Sequence, residues 1–301
     1  MDDTTLAHSL THSLTYLLIT HHSLTHSLTI IELMESESLV TSSLFTVQSG
    51  EGAERVTLQC ERWSSPRCLP HSLPHSLTPR PVILFVHQYT VMGGSRALMA
   101  GMARAAAQCG YEAVTFDLRG AGDSSGRCSF RCKSEAGDAR AVVAHLLSER
   151  VSERGSEEGS EEGSEDGSEE EGGGRGVFLV GSSAGAAVAG SVLDFSPRVL
   201  GGLFVGYTWG WAASLLFGWA FHSLECSTKP KLFVVGTADE FTSMAQYEWR
   251  LRGLAGSLNR MEVIEGKNHF QIEAPVYDEF VVQQAISFLE TITTTQGEVS
   301  E

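Results

Sequence analysis

Five apolar runs recur along the chain with helix-length stretches between most of them: VILFVH (82–87), EAVTFD (112–117), GVFLVG (176–181), LGGLFVGY (200–207) and KLFVVG (231–236). In most of them Val, Ile, Leu and Phe run on without alternating with polar residues. A strand with one wet face alternates, whereas a strand covered on both faces reads as a continuous run. Parallel neighbours also need a crossover connection, usually a helix. The pattern therefore predicts a mostly parallel sheet with helices on both faces. Helices are expected near 94–109, 134–149, 242–256 and 275–291, with a last strand, RMEVIE, at 260–265. LFTVQ (44–48) and RVTLQC (55–60) read as an opening antiparallel pair.

Three stretches stand apart from this pattern. Residues 1–43 are dominated by HSLT repeats, and the unit returns as PHSLPHSLT at 70–78. Thr-His-Ser-Leu can be encoded by the four-base unit ACTC read three times, so the stretch reads as a translated microsatellite. A four-residue period is far below the roughly 20–50 residues of a stacking repeat. The third stretch, 149–174, carries eleven acids and two arginines, which is −9 of the chain's formal −16. Such a tract buries too little apolar surface to offset the entropy of ordering it. The expected organisation is a low-complexity segment at 1–43 and one domain at 44–301, interrupted at 64–80 and 149–174.

Composition narrows the function classes. The acidic balance offers nothing to neutralise phosphates, which argues against nucleic acid as a partner. No Lys or Arg precedes Arg55, so no signal or transit peptide, with its basic region, is expected here. LTYLLIT is too short to span a membrane. Six cysteines at irregular spacing read as free thiols, and the expected location is cytoplasmic.

Two G-x-S-x-G patterns occur, Gly122–Gly126 around Ser124 and Gly181–Gly185 around Ser183. A nucleophile elbow needs a strand ending at the first glycine and a helix starting after the serine. Ser183 has both, because GVFLVG precedes it and the small-residue run AGAAVAG follows. Ser124 has neither; its strand ends at Asp117, and RCSFRC follows Gly126. In a helix opening at Ala184, the N–H of Ala184 points to the same spot as the Ser183 hydroxyl and can stabilise an oxyanion. The plainer reading of Ser183 is a glycine-rich turn that packs a helix.

Two strands followed by six strand–helix units is the element order of the α/β-hydrolase fold, with a sheet of about eight strands. In that order a base follows an acid, which follows the serine. Outside the HSL repeats the histidines are His87, His145, His222 and His269. His269 alone lies between the last strand and the last helix, where a general base would sit; an ordinary loop histidine is the alternative. Asp239, just past KLFVVG, is the expected acid, with Glu240 as competitor. Asp278 comes after the histidine and is excluded by order. The second oxyanion donor is expected from VHQYTVMGGS, with Tyr89 first and Gln88 second.

The motifs HQYTVMGG, FDLRGAGDSSG, GSSAG, GTADEFTS and GKNHFQIEAP together resemble the plant and algal branch of the α/β-hydrolase superfamily. They are similar, more distantly, to small bacterial hydrolases of the dienelactone-hydrolase type. The resemblance covers roughly 81–291, and it departs at Gln88, where such relatives usually carry proline. It implies serine-hydrolase chemistry on a carboxylic ester, thioester or amide, without metal or cofactor, and makes the Ser124 pattern part of a structural loop. The expected partner is a small ester or acyl substrate; Tyr207, Trp209 and Trp211, in the aromatic stretch 207–226, read as a cap or pocket wall, with a core or dimer helix as the alternative. A prolyl-oligopeptidase-like peptidase and a non-catalytic binding protein of the same fold are the competing functions.

Overall fold

The computed structural model describes residues 40–65, 80–149 and 174–298. Residues 1–39, most of the 64–80 insertion and nearly all of the acidic tract fall outside the described residues, and with them the expectations placed there. The eight strands are β1 (Thr41–Ser49), β2 (Val56–Ser64), β3 (Val82–Val86), β4 (Glu112–Phe116), β5 (Val177–Ser182), β6 (Val199–Val205), β7 (Lys231–Gly236) and β8 (Asn259–Ile264). They form one sheet in the order β1-β2-β4-β3-β5-β6-β7-β8. β2 is antiparallel to both β1 and β4, and every other pairing is parallel.

The helices are α1 (Ala100–Gln108), α2 (Glu135–Ser148), α3 (Ala184–Gly190), α4 (Trp211–Cys226), α5 (Met244–Gly253), α6 (His269–Ile272) and α7 (Asp278–Glu298). α1 and α7 pack on each other over one face of the sheet; α2 to α5 lie over the other. All five residues of β3 are buried: Val82, Leu84 and Val86 join the core under α2 and α3, and Ile83 and Phe85 face the opposite layer. Two-sided burial is thus the physical origin of the unbroken apolar runs. Each such Val, Leu or Phe contributes about 1.5–3 kcal/mol when removed from water.

β1 starts at Thr41, ahead of its apolar residues, because the register pairs Thr41 with Ser64. Those first residues are exposed, so pairing rather than burial makes them a strand. The helix expected from 94 begins instead as a 3₁₀ turn at Arg96–Met99. There Asp117 Oδ1 accepts the Arg96 N–H at 2.7 Å, one of the first-turn donors that has no partner within the helix. The parallel strands run in one direction, and the loops after β3, β5, β6, β7 and β8 gather at their carboxyl ends.

Candidate active site

β5 ends at Ser182, and Ser183 takes φ +54° and ψ −118° before α3 begins. A side chain at positive φ is strained, and such strain persists only where the surroundings over-determine it. Here two glycines do so. A Cβ on Gly185 would lie 2.2 Å from the His87 carbonyl oxygen and 2.3 Å from that of Val86. One on Gly181 would lie 2.6 Å from the Gly185 oxygen. The turn is therefore pressed against the end of β3, and its serine is thrown outward.

His269 opens α6, held there by a capping box in which Asn268 and Gln271 exchange side-chain and backbone hydrogen bonds. Its Nε2 lies 2.9 Å from Ser183 Oγ and its Nδ1 lies 2.8 Å from Asp239 Oδ2. An ionised carboxylate only accepts, so Nδ1 carries the proton and Nε2 is free to accept from the serine hydroxyl. Asp239 Oδ1 in turn accepts the N–H groups of Phe241 and Thr242, at 2.8 and 3.0 Å. Glu240, the competing acid, instead accepts the His269 backbone N–H at 3.0 Å. Phe241 packs edge-on against the imidazole, and Phe270 does the same beside it. His269 is 1% exposed.

The loop after β3 is fixed by His87. Buried at 0% exposure, its Nε2 accepts the Leu118 N–H at 3.0 Å, so Nδ1 carries the proton and donates to Gln88 O at 2.7 Å. A trans peptide points its C=O and N–H in opposite directions. Holding the Gln88 carbonyl toward His87 therefore aims the Tyr89 N–H the other way. The Tyr89 carbonyl accepts Met92 and Gly94 N–H groups at 3.0 and 3.1 Å, which locks the next peptide too. Burial pushes the His87 pKa down to about 4, so the ring is neutral. Order along the chain dismissed His87 as a base; its position directly after an apolar run was the signal of a structural role.

A cavity of about 440 Å³ opens beside Ser183. Gln88 and Tyr89 line it, together with Glu273 and Asp278, two acids not foreseen there. Tyr207, Trp209 and Trp211 do not line it, which corrects the expected pocket wall. Tyr207 and Trp209 turn inward, at 0% and 2% exposure, where Tyr207 meets Phe233 edge-on and Trp209 packs tilted against it, whereas Trp211 is 78% exposed. The aromatic stretch forms α4, which braces the loops instead: Phe217 meets Tyr89 edge-on, and Trp219 Nε1 donates to Arg131 O at 2.6 Å. Ser124 is far from this chemistry in role, since its hydroxyl accepts the Gln59 N–H at 2.8 Å and donates to Asp117 O at 2.6 Å. It extends the edge of β2 where β4 no longer pairs with it.

No group of His, Cys, Asp and Glu side chains among the described residues could hold a metal ion, and no described helix is long and apolar enough to cross a membrane. Several solved structures share the fold. An alpha-beta serine hydrolase homologue from Coxiella burnetii matches with TM-score 0.55 and 21% identity, over 80% of this chain and 96% of that one. A serine hydrolase without a lid from Xanthomonas campestris gives 0.56 and 18%, over 82% and 94%. An esterase from Pyrococcus furiosus gives 0.59 and 15%, over 86% and 95%. No curated protein sequence matches the chain. The family model described as "Alpha/beta hydrolase family" matches residues 83–268, which is more than half the chain and runs from β3 almost to His269. The chain belongs to the alpha/beta hydrolase family.

Proposed function

We propose that the protein is a serine hydrolase that cleaves a carboxylic ester, or the related thioester or amide, of a small molecule. The observation that carries this reading is the unbroken chain Asp239–His269–Ser183, ending on a strained serine at the mouth of a cavity. Ser183 Oγ attacks the substrate carbonyl carbon while its proton passes to His269 Nε2. Asp239 keeps the imidazole in the tautomer that can accept and stabilises the cation that forms. The tetrahedral oxyanion is held by the N–H groups of Ala184, at the start of α3, and Tyr89. His269 then gives the proton to the leaving alcohol, and the acyl group stays on Ser183. Water attacks that acyl-enzyme, again with His269 as base, and releases the acid.

The buried His269–Asp239 pair, held in one tautomer against Ser183, also favours catalysis over a purely binding role. A fluorophosphonate probe tests both together. Wild type should be labelled, and Ser183→Ala should lose labelling together with esterase turnover by several orders of magnitude. Ser124→Ala should keep both. Labelling that survives the first change, or a wild type that never reacts, would overturn the proposal.

A further inference from the structure

The cavity beside Ser183 has apolar walls, from Met92, Ala97, Leu98, Phe270 and Pro275. Its charged lining consists of Glu273 and Asp278, and no Lys, Arg or His lines it. Asp278 is 8% exposed and lies flat on α1, where a Cβ added at Gly101 would meet its Oδ2 at 1.9 Å. Among the described residues its carboxylate has no hydrogen bond and no ion pair. Glu273 is half-satisfied: Oε1 accepts the Ser182 hydroxyl at 2.5 Å, and Oε2 takes no hydrogen bond among the described residues. The charged neighbour of Asp278 is another acid, Glu279, and Arg96, in the turn ahead of α1, is engaged by Asp117, Asp123 and Glu61.

A largely buried, unpaired carboxylate is costly, and a protein offsets that cost when a cation arrives. We propose that this cavity selects substrates carrying a cationic nitrogen, with Asp278 as its main counter-charge and Glu273 as the second. The proposal rests on the hydrolase reading for the reaction but not for the binding. Burial lifts the Asp278 pKa to about 6, from desolvation first and neighbouring Glu279 second, so the group is still mostly anionic above neutrality. The same two carboxylates repel a substrate bearing a free carboxylate, which gives discrimination by exclusion as well as by attraction. The apolar walls suit the methylene chain that separates the nitrogen from the scissile bond.

Two matched ester series at pH 8 test this. One places the charge on the acyl side: 2-naphthyl esters of hexanoate, 6-(trimethylammonio)hexanoate and adipate. The other places it on the alcohol: butyrates of 3,3-dimethylbutanol, choline and 4-hydroxybutanoate. In at least one series kcat/KM should favour the cation over the anion by tenfold or more. The cation-to-neutral ratio should fall at least fivefold in Asp278→Asn and less in Glu273→Gln, whatever the neutral ester's own rate. Calorimetry on Ser183→Ala should show hexyltrimethylammonium binding and hexanoate not binding. If neutral esters turn over with no charge preference in either series, or if both variants keep the wild-type ratio, the proposal is wrong and the reaction stands. If no ester turns over yet Ser183→Ala binds only the cation, the reaction reading fails and the pocket stands.

Discussion

A histidine with both ring nitrogens committed, buried at the end of a strand, is a pH liability. His87 folds as a neutral ring with its pKa lowered to about 4, while its unfolded value is near 6.5. Between those values the unfolded chain binds the extra proton, so stability falls as pH drops below 6.5 and the loss levels off near 4. The difference corresponds to about 3 kcal/mol. Asp278 and Glu273 work the other way, since burial raises their pKa values and protonation relieves them as pH falls. Urea unfolding from pH 7 to 4 should therefore be compared with His87→Gln, which can still donate and accept. The variant should lack the His87 share of the decline; parallel curves would show that the ring is not the source. Turnover in this variant should fall as well, because the Gln88–Tyr89 peptide would no longer be held by a rigid ring.

At the scale of elements, the site is an assembly of strand ends, and each end has one tolerant and one intolerant position. After β7, Asp239 faces the imidazole and Glu240 faces a backbone N–H. Asp239→Asn should lower kcat by on the order of 10⁴-fold by disturbing the tautomer. Glu240→Gln, which still accepts that N–H, should cost less than tenfold. After β5, Gly185→Ala forces a Cβ into the carbonyls of Val86 and His87, neither of which can swing aside. A loss of about 1–3 kcal/mol in stability is expected, together with lower kcat, because the elbow and the Tyr89 loop are pushed apart. A variant with wild-type stability would mean the elbow is looser than it looks. The strands were legible in the sequence because two-sided burial writes itself as continuous apolar runs. Ser183, Asp239 and His269, which the structure brings together, were legible because the order of elements fixes which loops share an edge. Tyr207 and Trp209 misled because nothing in one dimension says whether an aromatic after a strand turns out or in. α6 was missed because four residues hold no period, although Asn268 and Gln271 carry its capping signal. Asp278 was set aside by a rule about triad order that says nothing of pocket lining.

The whole molecule has two unlike rims. The strand carboxyl ends hold the cavity and Ser183; the opposite rim is tied by Arg62, Glu112, Glu149 and Arg175, with Arg62 Nη2 2.6 Å from Glu149 and Arg175 Nη1 2.8 Å from Glu112. In the chain the acidic tract lies between the end of α2 and the start of β5, and both of those described ends sit on that second rim. Doubling a flexible loop costs only about 0.6 kcal/mol, so the fold can carry a long insertion there. Replacing residues 152–173 by a short Gly/Ser link should leave turnover of a small ester nearly unchanged. A large drop in kcat at unchanged Tm would mean the tract reaches the cavity. The strain at Ser183 has a different reach. Relieving a positive φ is worth about 1–3 kcal/mol, less the roughly 0.5–1 kcal/mol that glycine loses to chain entropy. Ser183→Gly should thus melt above wild type, by roughly 2–4 °C for each kcal/mol retained, whereas Ser183→Ala keeps the strain and should not. Selection of random variants for heat resistance alone would then drift toward glycine at 183 and silence the enzyme, so thermal screening and activity screening pull this one codon in opposite directions.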